Sequence, residues 1–181
     1  MSTLAARACL LLLACLPAQA SRAEPVPAAE RIPVDLRRTT LLVRDVDRSL
    51  ALYRDALGLR VRYDSAGLAG PSPERSRLVI LCANDTFIGC VGLLRRADLP
   101  ADAPVERRKP AYGKVYLVFN VKDLAERFER ARTVPGVVVE SAPDFGAPPP
   151  PPGQMHVIGS NIWDPDGYFV ELNLMLRAPA D

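Results

Sequence analysis

The step from a strand into a helix is written twice in this chain, as Val43-Arg-Asp-Val46 and as Val121-Lys-Asp-Leu124. Each copy sits in the same order of apolar patterns, a strand and a helix followed by three strands. A repeat of about 75 residues is too long for a solenoid and points to two copies of one unit sharing a core. In the first copy, residues 37–43 alternate, with Thr39, Leu41 and Val43 on one side and Arg38, Thr40 and Leu42 on the other. Asp45 or Asp47 caps a helix with the apolar stripe Leu50, Tyr53 and Leu57, and Gly58 ends it. Strands are expected at 60–63, 77–82 and 87–94. In the second copy the strand is 115–121, and Asp123 caps a helix carrying Leu124, Phe128 and Ala131 that stops before Pro135 and Gly136. Strands at 137–140, 156–163 and 168–175 complete it.

The last of these strands follows the turn Asp164-Pro-Asp-Gly167. Pro165 fixes φ for the second turn position and Gly167 tolerates positive φ, so the chain reverses here. From there Tyr168, Val170, Leu172 and Leu174 fall on a core face, and Phe169, Glu171, Asn173 and Met175 on the other. A strand face that mixes apolar groups with a carboxylate and an amide suits a pocket wall better than bulk water. Glu171 is the residue such a wall has to explain. The turn lacks the later oxygen ligands of a calcium loop, and the chain contains no nucleotide-binding or nucleophile motif.

Residues 1–20 have the form of a removable export signal. Arg7 is the positive end, 8–16 the short apolar stretch, and Ala18-Gln-Ala20 the cleavage site. Leu12-Leu-Ala-Cys15 offers an alternative, a lipoprotein anchored through Cys15; otherwise no membrane association is expected. Both readings place the protein outside the cytoplasm, in the periplasm or secreted. Residues 21–36 are an aperiodic leader, 96–113 a proline-containing linker between modules 37–95 and 114–176, and 177–181 a tail. The net charge of +2 falls to about +1 without Arg7, which gives no electrostatic basis for nucleic-acid binding. Cys82 and Cys90 remain after cleavage; an oxidising compartment allows a disulfide between them, and spacing alone leaves that open.

Residues 43–58, Val-Arg-Asp-Val-Asp-Arg-Ser-Leu-Ala-Leu-Tyr-Arg-Asp-Ala-Leu-Gly, and 164–172, Asp-Pro-Asp-Gly-Tyr-Phe-Val-Glu-Leu, together resemble the vicinal oxygen chelate superfamily. That superfamily includes glyoxalase I, bleomycin-binding proteins, fosfomycin resistance enzymes and extradiol dioxygenases. The resemblance covers residues 37–176 and implies an α+β fold of two βαβββ modules forming an open, curled eight-stranded cup. A ligand, and usually a divalent metal, would be held inside, and pairing into a homodimer is common.

The resemblance places metal ligands on the first and last strand of each module. Here those positions fall on Arg38, Tyr116, Glu171 and either Cys90 or, with the register slipped by two, Gly92. Only Glu171 keeps a familiar ligand type, because a guanidinium stays protonated and a lone tyrosine is a weak ligand. The expectation is an exported protein binding a small molecule without a metal. Tyr116, Leu42, Phe169 and Asn173 would line its cup, His156 would contact the pocket, and Arg38 would pair with Glu171 where relatives place the cation. The alternative is a glyoxalase-like lyase or isomerase with Glu171 as catalytic base and a Zn, Ni, Mn or Fe ion.

Overall fold

Period-two alternation and turn chemistry build two four-stranded sheets, one per copy of the repeat. The computed structural model describes residues 26–69, 75–107, 112–148, 151 and 154–177. The export signal, Cys15, residues 178–181 and parts of the loops at 65–76 and 143–155 lie outside them. In the first module, β1 (Arg38–Leu42), β2 (Arg60–Asp64), β3 (Arg77–Cys82) and β4 (Cys90–Arg95) lie in the order β1-β4-β3-β2, with β1 parallel to β4. The second repeats it with β5 (Tyr116–Asn120), β6 (Val138–Ser141), β7 (Met155–Trp163) and β8 (Phe169–Arg177), in the order β5-β8-β7-β6. Helix α1 (Val46–Leu50) runs on as a π-helical stretch over Ala51–Ala56, a short α2 (Ala66–Ala69) follows β2, and α3 (Leu124–Arg132) follows β5. The fold is the expected α+β arrangement of two βαβββ modules. No helix among the described residues is long and apolar enough to cross a membrane.

The helical stripes settle against the sheets. Leu50, Tyr53 and Leu57 pack with Leu41, Val79, Leu81 and Leu93, and Leu124, Phe128 and Ala131 join Leu117, Ile162, Val170 and Leu172 in the same buried cluster. Each such leucine or valine contributes about 1.5–3 kcal/mol by leaving water. The Asp45 carboxylate caps α1, accepting from the backbone N–H of Asp47 at 2.9 Å and of Arg48 at 3.1 Å. Asp123 does not cap α3; its carboxylate is taken by Arg127, one turn on, at 3.1 Å. Strand β4 starts at Cys90 rather than at residue 87. Asp85 accepts from the N–H of Phe87 and Ile88 at 2.6 and 2.8 Å and Gly89 takes φ +64°, so these residues form a loop. Cys82 and Cys90 face each other across β3 and β4 and close that loop as a disulfide.

The turn of the second module is inserted into the first. Asp164 is fully buried, accepting the Tyr53 hydroxyl at 2.9 Å and the backbone N–H of Asp166 and Tyr168 at 2.9 and 2.8 Å. Burial pushes its carboxyl up to about 6, against the pull of those hydrogen bonds. Asp166 pairs with Arg44 at 2.8 Å and accepts from Ser49 Oγ at 3.3 Å. The Tyr168 hydroxyl accepts from the N–H of Leu42 at 3.0 Å and donates to its carbonyl at 3.2 Å, satisfying the edge of β1.

Candidate ligand-binding face of the second module

On β8, Phe169, Glu171 and Asn173 point away from the helix. The ladder sets Trp163, Asn161 and Gly159 of β7 opposite them, and on the other side β5 pairs Tyr116 with Phe169 and Val118 with Glu171. Three rings therefore meet at one end of this face. Phe169 stacks edge-on with Tyr116 at 5.0 Å and with Trp163 at 4.9 Å, geometry favoured by their quadrupoles. A cavity of about 270 Å³ opens there, lined by Tyr116, Trp163, Tyr168 and Phe169 together with Lys114 and Glu106.

The polar groups come next along the strands. Glu171, half-buried, accepts from Asn173 Nδ2 at 2.8 Å through one oxygen. Asn173 is only 8% exposed, and its own oxygen has no hydrogen-bond partner. That oxygen lies over Gly159, at 2.9 Å from where a Cβ would stand, so a side chain at 159 would displace it. Trp163 Nε1 donates to Glu140 at 3.1 Å and Asn161 Nδ2 to Ser141 Oγ at 2.9 Å.

The structure thus brings together Tyr116, Phe169, Glu171 and Asn173, four of the residues singled out by sequence. It does not join the others to them. Arg38 lies on the first sheet and donates to Thr40 Oγ1 at 3.1 Å, so the expected pair with Glu171 is not formed. The two residues belong to different sheets, a relation that strand phase alone does not fix. Leu42 also belongs to the first sheet and lines a separate cavity of about 200 Å³ with Arg44, Leu99 and Pro100. His156 shares its phase on β7 with the buried Ile158, Ser160 and Ile162, so it falls on the face opposite Glu171. Trp163, Asn161 and Glu140 were missed. Counting outward from the 164–167 turn sets Trp163 against Phe169 and Asn161 against Glu171, so that signal was present.

The ladders also settle which residue of the first module matches Glu171. Arg38 pairs with Cys90 as Tyr116 pairs with Phe169, and Thr40 with Gly92 as Val118 with Glu171. Glu171 corresponds to Gly92, and Cys90 to Phe169. The four matched positions carry a guanidinium, a bare glycine, a phenol and one carboxylate, a donor set that does not fit a divalent cation. Among the described residues no three His, Cys, Asp or Glu side chains converge elsewhere. What this face offers is an aromatic slot, one half-buried carboxylate and two amides.

Against functionally curated proteins the chain has no significant sequence match. Among solved structures it resembles the trypanothione-dependent glyoxalase I of Leishmania major, with 21% identity over 78% of this chain and 86% of that one and a TM-score of 0.51. Fosfomycin resistance protein FosX of Mesorhizobium loti aligns at 19% identity over 78% and 91% of the two chains, TM-score 0.52. Glyoxalase I of Zea mays aligns at 21% over 77% of this chain but 45% of its own, TM-score 0.54. At such identities these likenesses concern the fold. The family model covers residues 35–172, and the chain belongs to the Glyoxalase/Bleomycin resistance protein/Dioxygenase superfamily.

Proposed function

We propose that this protein is exported and binds a small organic molecule on the exposed face of its second module, without a catalytic metal. The observation that carries this is the donor set. Of the positions Arg38, Gly92, Tyr116 and Glu171, one alone bears a ligand of common type, while four rings line an adjoining cavity. The lyase or isomerase alternative needs an electrophile to stabilise an enolate near Glu171, and among the described residues no cation is paired with that carboxylate, whose hydrogen bond comes from Asn173. Arg7, the apolar stretch and Ala18-Gln-Ala20 support export, as does a disulfide suited to an oxidising compartment. Exposed Leu42, Val61 and Tyr63 on the first sheet, away from the ligand face, are apolar surface that a second copy would cover, and we include a homodimer in the proposal.

Native mass spectrometry of the protein expressed with its leader and incubated with Zn, Ni, Mn and Fe salts tests all parts at once. The expected species is a metal-free dimer of residues 21–181, recovered outside the cytoplasm. Near-stoichiometric metal that disappears in Glu171→Ala would overturn the metal-free reading in favour of the lyase. A lipid-modified chain starting at Cys15 would establish the anchored form, a chain retaining residues 1–20 would refute export, and a monomer would refute pairing.

A further inference from the structure

Three side chains around Glu171 already donate to their neighbours, Asn173 to Glu171, Trp163 to Glu140 and Asn161 to Ser141, while the Asn120 amide and the Tyr116 hydroxyl share the face. Acceptors remain. Glu171 engages one of its two oxygens, and the Asn173 oxygen has no partner although the residue is nine-tenths buried. By ladder phase this face runs along β8 from Phe169 through Glu171 to Arg177, the one cation among the described strand positions that share it, six residues from Glu171. Lys114 and Glu106, of opposite charge, are both among the residues lining the adjoining cavity.

We infer that the molecule bound here is an organic cation, with a protonated amine or amidine nitrogen facing Glu171 and a flat apolar body against Tyr116 and Phe169. This rests on the binding reading above and names the ligand class. A half-buried carboxylate without an ion pair is costly to cover with a neutral or anionic group, and a cation supplies both the missing charge and a donor. Ring faces attract the same charge, and the rings at one end of the face leave Tyr116 42% exposed to receive a planar body. An anion beside Glu171 would meet that carboxylate and Glu140, with Arg177 six residues away along β8. Arg38, the cation expected to pair with Glu171, is on the other sheet bonded to Thr40.

Three probes of matched shape test this on the intact protein, namely 2-naphthylmethylammonium, 2-naphthylmethanol and 2-naphthoate. Calorimetry gives their affinities, and the indole N–H resonance of Trp163, the single tryptophan, reports whether each occupies this face. The ammonium should bind about tenfold tighter than the alcohol, with naphthoate weakest, and shift the indole signal. Glu171→Gln, which keeps shape and removes charge, should bring ammonium and alcohol within about twofold of each other. In the wild-type protein added salt should weaken only the ammonium, a check that needs no variant. Equal affinity for ammonium and alcohol, tighter naphthoate, or a preference for ammonium that survives Glu171→Gln overturns the cation assignment while leaving the cavity a binding site. If none of the three binds at millimolar concentration or moves the indole signal, the binding reading falls with it.

Discussion

In the first module the last two strands meet at residues 83–89, a loop that stands at the surface, closed across its base by Cys82–Cys90. In the second the same two strands meet at 164–167, a turn buried in the neighbouring module against Tyr53, Arg44 and Ser49. The exposed faces differ in step. Gly92 in one module, where Thr40 Oγ1 comes to 3.0 Å of a built Cβ, matches Glu171 in the other. The first module carries the disulfide staple, and the second carries the stacked rings and the carboxylate on which the binding proposal rests. Two copies of one backbone thus differ at this turn and at matched ladder positions, Cys90 against Phe169 and Gly92 against Glu171.

The largest effect expected from disturbing this contrast is at the inserted turn. The Asp164 carboxyl sits at about 6 against an ordinary 3.8, so the folded chain holds this proton more tightly than the unfolded chain does. The corresponding stability is fully present below pH 3.8 and is lost as pH rises through about 6, a total of about 3 kcal/mol. Urea unfolding between pH 4 and pH 7.5 should show this decline in the wild type and a flat profile in Asp164→Asn. A wild-type profile as flat as the variant's would mean that the turn does not hold a destabilised carboxylate.

The staple of the other module should come next. Replacing Cys82 and Cys90 by alanine removes a constraint on an eight-residue separation, with an expected loss of about 2–3 kcal/mol in chemical denaturation. If binding rests on the second module, the naphthyl probes should keep their affinities in this variant while it remains folded. A loss of binding there would overturn that assignment.

The smallest effects compare the two turns directly through their glycines. Gly89 takes φ +64° with nothing within 4 Å of a built Cβ, so Gly89→Ala should cost only the backbone strain, about 1 kcal/mol. Gly167 takes φ +92°, and its Cβ would come to 2.8 Å of the Glu106 carbonyl oxygen. Gly167→Ala should cost about twice as much. Equal shifts in thermal midpoint would show that the second turn is no more tightly held than the first.

Much of this was legible before any coordinates. The repeat fixed the number and order of strands because period-two alternation and the Asp-Pro-Asp-Gly turn are local signals. Tyr116, Phe169, Glu171 and Asn173 followed from strand phase. Phe87 and Ile88 were read as strand because they are apolar, whereas Asp85 and Gly89 hold them in a loop with both side chains exposed. The π-helical stretch at Ala51–Ala56 has no sequence signature that period analysis detects. Arg38 was paired with Glu171 across two sheets whose relation depends on the inserted turn, a contact set more than a hundred residues apart. His156 was a failure of counting, since its phase with Ile158 and Ile162 was visible.

That inserted turn also orders events in time. Tyr53 finds Asp164 across 111 residues of sequence, and Leu42 finds Tyr168 across 126. The cysteines of the first module are eight residues apart and can meet early. A chain emerging from its N-terminal end can therefore assemble its first sheet and oxidise it while the Tyr53 hydroxyl still lacks its partner. The closing step waits for the last strand pair, and with such long-range contacts it should be the slow phase of refolding.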